Sequence, residues 1–76
     1  MKIYILTCIN ENSELVSAKA YYDLLVAQSL MRKEWAAECS DFESNGRLEY
    51  HNIWDKSASC GNEEYGYIWN ITEAEL

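Results

Sequence analysis

The chain has 76 residues, with 13 acidic against 6 basic side chains and a formal charge of −7, which is room for one small domain and no second. Hydrophobic residues make up 49% and charged residues 25%, the balance of a folding chain; no proline and only 3 glycines leave no place for low-complexity linkers or collagen-like repeats. The acidic excess argues against direct binding to nucleic acid or to an anionic membrane surface, both of which need clustered Lys and Arg.

Residues 2–9 (KIYILTCI) are rich in β-branched and aromatic side chains and predict a strand. Ile3, Ile5 and Ile9 point one way with Thr7, and Tyr4, Leu6 and Cys8 the other. A strand apolar on both faces suits a central position, covered on both sides or covered on one side by a partner. Asn10-Glu11-Asn12-Ser13 is a turn cluster. In 14–22 (ELVSAKAYY), Ser17 and Lys19 alternate with Val16, Ala18, Ala20 and Tyr22, which predicts a second strand in a hairpin with the first; a helix from Ser17 is the rival.

Asp23 stands where a helix N-cap belongs. From Leu24 to about Ser44 the spacing is helical, with Leu24, Ala27, Met31, Trp35, Glu38 and Phe42 on one stripe, and Asn45-Gly46 is a stop. Residues 47–59 read as a strand with a break near Asn52 or Asp55, and 60–64 as a connecting turn. Residues 65–72 (YGYIWNIT) alternate again and should pair with 47–59 as a hairpin, leaving 73–76 as a short tail. The order is ββαββ, or βαββ without the first hairpin. Both describe an α+β fold with one helix packed on one face of a mostly antiparallel sheet.

The opening Met1-Lys2-Ile3-Tyr4-Ile5-Leu6, the helical Ala27, Met31 and Trp35, the pair Ser57-Ala58, and Tyr67-x-Trp69-x-Ile71 followed by Glu73 cover most of the chain. In these features it resembles short uncharacterised bacterial proteins and phage or mobile-element proteins. The resemblance implies a compact α+β accessory protein and carries no activity with it.

Candidate chemistry is sparse. Cys8, Cys39 and Cys60 are odd in number and widely spaced, which suits reduced thiols in the cytoplasm better than a disulfide framework. The apolar run after Lys2 is too short for a signal-peptide core, and nothing approaches the ~20 apolar residues of a membrane span. His51 and Cys60 form a conceivable nucleophile–base pair, but Glu49, Asp55, Glu63 and Glu64 crowd the region and disfavour a thiolate. Cys39, His51, Asp55 and Cys60 carry ligand chemistry without a recognised metal spacing. The carboxylate pairs Glu63-Glu64, Asp41 with Glu43, and Glu73 with Glu75 lie where solvation is the default, not in an apolar pocket that would make one of them an acid catalyst. The aromatics between 50 and 69 lack the basic groove of a base-stacking platform.

The charge is unevenly spread: residues 1–38 sum to −1 and residues 39–76 to −6. The sequence therefore points to a non-enzymatic, cytoplasmic interaction protein without a cofactor, docking an acidic and aromatic surface on a protein partner with a basic face, in one version by imitating nucleic-acid phosphates. Trp54, Tyr65 and Tyr67 are the expected apolar anchors, and Asp55, Glu63 and Glu64 the charged contacts. A homodimer is the further expectation, because one helix covers only one sheet face. The alternative is a small metal- or ligand-binding module using Cys39, His51 and Cys60.

Overall fold

A computed structural model describes all of residues 1–76. Strands β1 (Lys2–Asn10) and β2 (Leu15–Tyr21) lead into helix α1 (Leu24–Ser44). Strands β3 (Tyr50–Ile53), β4 (Ser57–Gly61) and β5 (Gly66–Glu75) follow. The five strands form one sheet in the order β2-β1-β5-β4-β3, and every neighbouring pair is antiparallel. The helix lies across one face of it, as the sequence predicts.

The first hairpin is closed by Asn10, whose side-chain oxygen accepts from the backbone N–H of Asn12 (2.9 Å) and of Glu14 (3.0 Å). Ser13, rather than either asparagine, takes the left-handed conformation there. Cys8 pairs with Ser17 and Ile9 with Leu15, so Val16 is an extra residue that bulges from β2. This pairing decides the strand reading of 14–22 over the helical one.

Helix α1 has the predicted ends. The Asp23 carboxylate accepts from the Leu25 N–H at 2.9 Å. At the other end Gly46 is left-handed, and Arg47 N–H donates to Phe42 O (2.8 Å) while Gly46 N–H donates to Glu43 O (3.0 Å), a Schellman closure. Ala27 and Met31 are fully buried, with Leu24, Leu30, Trp35, Cys39 and Phe42 packed beside them. The Trp35 indole N–H donates to Ser59 O at 3.0 Å and holds the helix over β4.

Two expectations are corrected and a third is extended. The break expected in 47–59 near Asn52 or Asp55 falls at Trp54–Lys56 and is a full reversal: β3 and β4 form their own hairpin there, where Trp54 N–H donates to Ser57 O (2.8 Å). Cys60 and Gly61 belong to β4 rather than to the following turn. Residues 73–75 are not a tail, because β5 continues to Glu75 and pairs along the whole of β1, from Asn10 opposite Tyr67 to Lys2 opposite Glu75. The last strand thus lies at the centre of the sheet, between the first hairpin and the second.

The core is small: Leu6, Cys8, Ala58, Cys60, Trp69 and Ile71 from the sheet meet Ala27 and Met31 from the helix. These sheet residues share one face. The other face, opposite the helix, carries nothing from this chain.

Candidate functional site

Two of the molecule's three concavities join as a groove between the helix and the sheet, on the side of the first hairpin; the third, about 130 Å³, is lined by Ile3, Ala20, Tyr21, Tyr22 and Leu76. One half of the groove, about 220 Å³, is lined by Glu11, Glu38, Asp41, Phe42, Asn45, Tyr65 and Tyr67. The other, about 190 Å³, is lined by Cys8, Val16, Ser17, Glu34, Ala37, Glu38, Tyr67 and Trp69. Glu38 and Tyr67 belong to both halves and join them.

Local structure explains this collection. Glu34, Glu38 and Asp41 follow one another at helical spacings of four and three, so their carboxylates share the helix edge that overlooks β1 and β2. Glu11 is carried to the same place by the Asn10 turn. Tyr67, opposite Asn10 in the sheet, projects towards the helix, with its ring centroid 6.2 Å from Phe42 and 5.9 Å from Trp69. The result is an aromatic floor with carboxylates along its rim. None of Glu11, Glu34, Glu38 and Asp41 is in an ion pair; the molecule's four ion pairs use Glu64, Glu73 and Glu75 instead.

The electrostatics register the crowding. Burial pushes the Glu38 carboxyl above its ordinary range, and the neighbouring Asp41 and Glu34 push it further the same way. The Tyr67 phenol is also raised, first by burial and then by Glu38 and Glu11. A cation entering the groove relieves this repulsion. Beneath it, the Trp69 indole N–H is buried without a hydrogen-bond partner, which costs on the order of 1–3 kcal/mol.

The residues singled out in the sequence are dispersed. Trp54 (58% exposed) and Asp55 sit at the β3–β4 turn, whereas Glu63, Glu64 and Tyr65 sit at the β4–β5 turn, at the opposite end of β4. Five residues of strand, ~17 Å, separate the two groups, so they do not form one surface. Glu64 is bound to Arg47 at 3.0 Å, and the Arg47 guanidinium stacks 5.3 Å from the centroid of Tyr65. Glu63 is exposed and has no ion partner. Tyr67 is a half-buried wall of the groove rather than a projecting anchor.

Asn62 organises the β4–β5 turn: its side chain donates to Arg47 O (2.9 Å) and accepts from the N–H of Glu64 (2.9 Å) and of Tyr65 (3.0 Å). Of the groove carboxylates, Glu38 left a trace in the sequence, as a charged residue within the apolar stripe of the helix. Nothing in the spacing linked it to Glu11, which is distant in the chain.

Cys39 and Cys60 do meet. The Cys60 thiol is pushed up to about 12, first by burial and then by the adjacent Cys39, and the Cys8 thiol to about 11 by burial and the nearby Glu34 and Glu38. The thiols are therefore protonated fillers of the core. His51 lies opposite Cys60 in the β3–β4 register and tilts against Trp35 at 6.4 Å. No group of three or more His, Cys, Asp or Glu side chains is placed to hold a metal ion. No helix is long and apolar enough to cross a membrane.

Set beside known protein families, curated proteins and solved structures, the chain matches none of them.

Proposed function

We infer that the protein is a non-enzymatic, cytoplasmic accessory protein that binds a basic segment of a protein partner in the groove between helix and sheet. The observation that carries this reading is the set of four carboxylates without ion partners, Glu11, Glu34, Glu38 and Asp41, along a trough floored by Phe42, Tyr65 and Tyr67. A lysine or arginine side chain fits this chemistry in two ways. Its charge is drawn to the carboxylates, and its stem or guanidinium plane lies against the aromatic rings. The raised Glu38 carboxyl adds a driving force, since a bound cation stabilises the carboxylate that burial and then its acidic neighbours disfavour. The shallow, acid-lined shape suits recognition of a side chain better than enclosure of a substrate.

The test is titration of the whole chain with a short Lys/Arg-rich peptide, measured by isothermal titration calorimetry. Saturable binding that weakens with added salt is expected. Glu38→Lys with Asp41→Lys should weaken it at least ~10-fold, as reversal of rim charges does at complementary interfaces. Absence of saturable binding, or affinity indifferent to the double reversal, overturns the reading.

A further inference from the structure

The uncovered face of the sheet carries no charged side chain. The strand registers settle which residues lie there: Ile3, Ile5, Thr7 and Ile9 on β1; their β2 partners Leu15, Ala18 and Ala20; and Ile68, Asn70, Thr72 and Ala74 on β5. Ser57, Ser59 and Gly61 of β4 continue it, with Asn52 and Tyr50 of β3. All 6 basic and 13 acidic side chains are elsewhere, on the helix, in the turns or at helix-side positions of the strands. Chance does not readily clear five strands of charge in a chain one quarter charged. An ordinary solvated sheet face carries Lys, Glu or Arg at alternating positions.

We propose that this face is covered by a second copy of the chain, in a two-fold sandwich with the helices outermost. Shape supports the occupant. Ile3, Ile5, Ile9 and Ile68 form a ridge along β1 and β5, flanked by troughs of Ala18 and Ala20 on β2 and of Ser57 and Ser59 on β4. A two-fold axis through the face sets the ridge of each copy beside the trough of the other, and stacked sheets pack in this way about 10 Å apart. Size supports it too: five strands at ~4.8 Å spacing and ~25 Å of strand length give about 600 Å² per copy, on the order of 1,200 Å² in the pair, the lower end of specific interfaces. Charge supports it most. With −7 on each chain, joining the charge-free faces brings two copies together without opposing carboxylates and turns both acidic grooves outward. The proposal is independent of the groove reading, since the two surfaces lie on opposite sides of the sheet.

Sedimentation of the whole chain from about 5 to about 500 µM tests it, a range that brackets the affinity expected of an interface this small. The expected result is a species of twice the 8.8 kDa chain mass at the upper concentrations. Ile5→Lys at the centre of the face should weaken association at least ~100-fold, because it buries an unpaired charge. Thr7→Lys, at a position that is already polar, is the second variant; it keeps the test valid if Ile5→Lys fails to fold, and circular dichroism should show the helix retained. A wild-type chain that stays at 8.8 kDa throughout overturns the proposal and leaves the face to a different chain. So does a dimer that survives both lysines, which would place the contact at the β2 or β3 edge.

Discussion

The two faces of the sheet are built by the same alternating strands yet solve different problems. On the helix side, Leu6, Cys8, Trp69 and Ile71 are buried, and Glu38 has its ionisation disfavoured, first by burial and then by the neighbouring Asp41 and Glu34. On the other side, Ile68 is exposed and Ile5 half-buried, and the face they share carries no charge. A chain this short can bury only part of what it exposes when unfolded, and one helix covers one face. The contrast teaches that the −7 charge is not spread as a solubilising coat. It is withheld from the uncovered face; four of the 13 carboxylates line the groove, and the rest lie on the helix, in the turns and at helix-side strand positions.

The comparison can be tested from its strongest element downwards. Met31→Ala, on the covered face, should cost about 2–5 kcal/mol in urea unfolding, because its fully buried side chain leaves a cavity. Truncation of half-buried Ile5 should cost clearly less at concentrations where the chain is monomeric. Equal costs would show that the uncovered face is packed within the monomer. Gly61→Ala comes next. Gly61 has φ +145°, and a Cβ there meets the Tyr65 carbonyl oxygen and comes within 2.6 Å of Gly66 Cα, so a loss of about 2–3 kcal/mol is expected in the same assay. Asp23→Ala removes the helix cap and should cost about 1 kcal/mol.

Glu38→Gln should act in the opposite direction. It removes like-charge contacts with Glu34 and Asp41 along the helix, for a gain of roughly 0.5–1 kcal/mol. The pH dependence carries the same sign. Because the folded Glu38 carboxyl is raised, the unfolded chain releases its proton first, and this group's contribution to stability falls as pH rises from the ordinary carboxylate range through the raised value. Urea midpoints between pH 4 and 7 should show that decline in the wild type and less of it in Glu38→Gln. A variant more stable at pH 7 but weaker towards the basic peptide would tie the stored repulsion to binding. The smallest effect is expected from Glu63→Lys with Glu64→Lys, which should change groove affinity less than Glu38→Lys with Asp41→Lys does. Both residues lie outside the groove, and Glu64 is already paired with Arg47. The reverse ranking in the peptide titration would move the binding surface to the β4–β5 turn.

Local chemistry was legible where neighbours in the chain decide the outcome. The helix from Leu24 to Ser44, its Asp23 cap and its Gly46 stop follow from spacing and capping, whereas the alternation of 14–22 favoured the first hairpin over a helical rival without deciding it. The two-sided apolar character of β1 was legible too, although which of its faces the helix covers was not. Other features depended on chain segments far apart. The pairing of β1 with β5 over its full length converts a supposed tail into central sheet and brings Glu11, Glu38 and Tyr67 to one groove. The break of 47–59 into β3 and β4 likewise sends Trp54 and Tyr65 to opposite ends of β4. Periodicity records which way a side chain points within its own element. Which distant element it then meets is set by strand order and register, and those are chosen by the burial of the whole core at once.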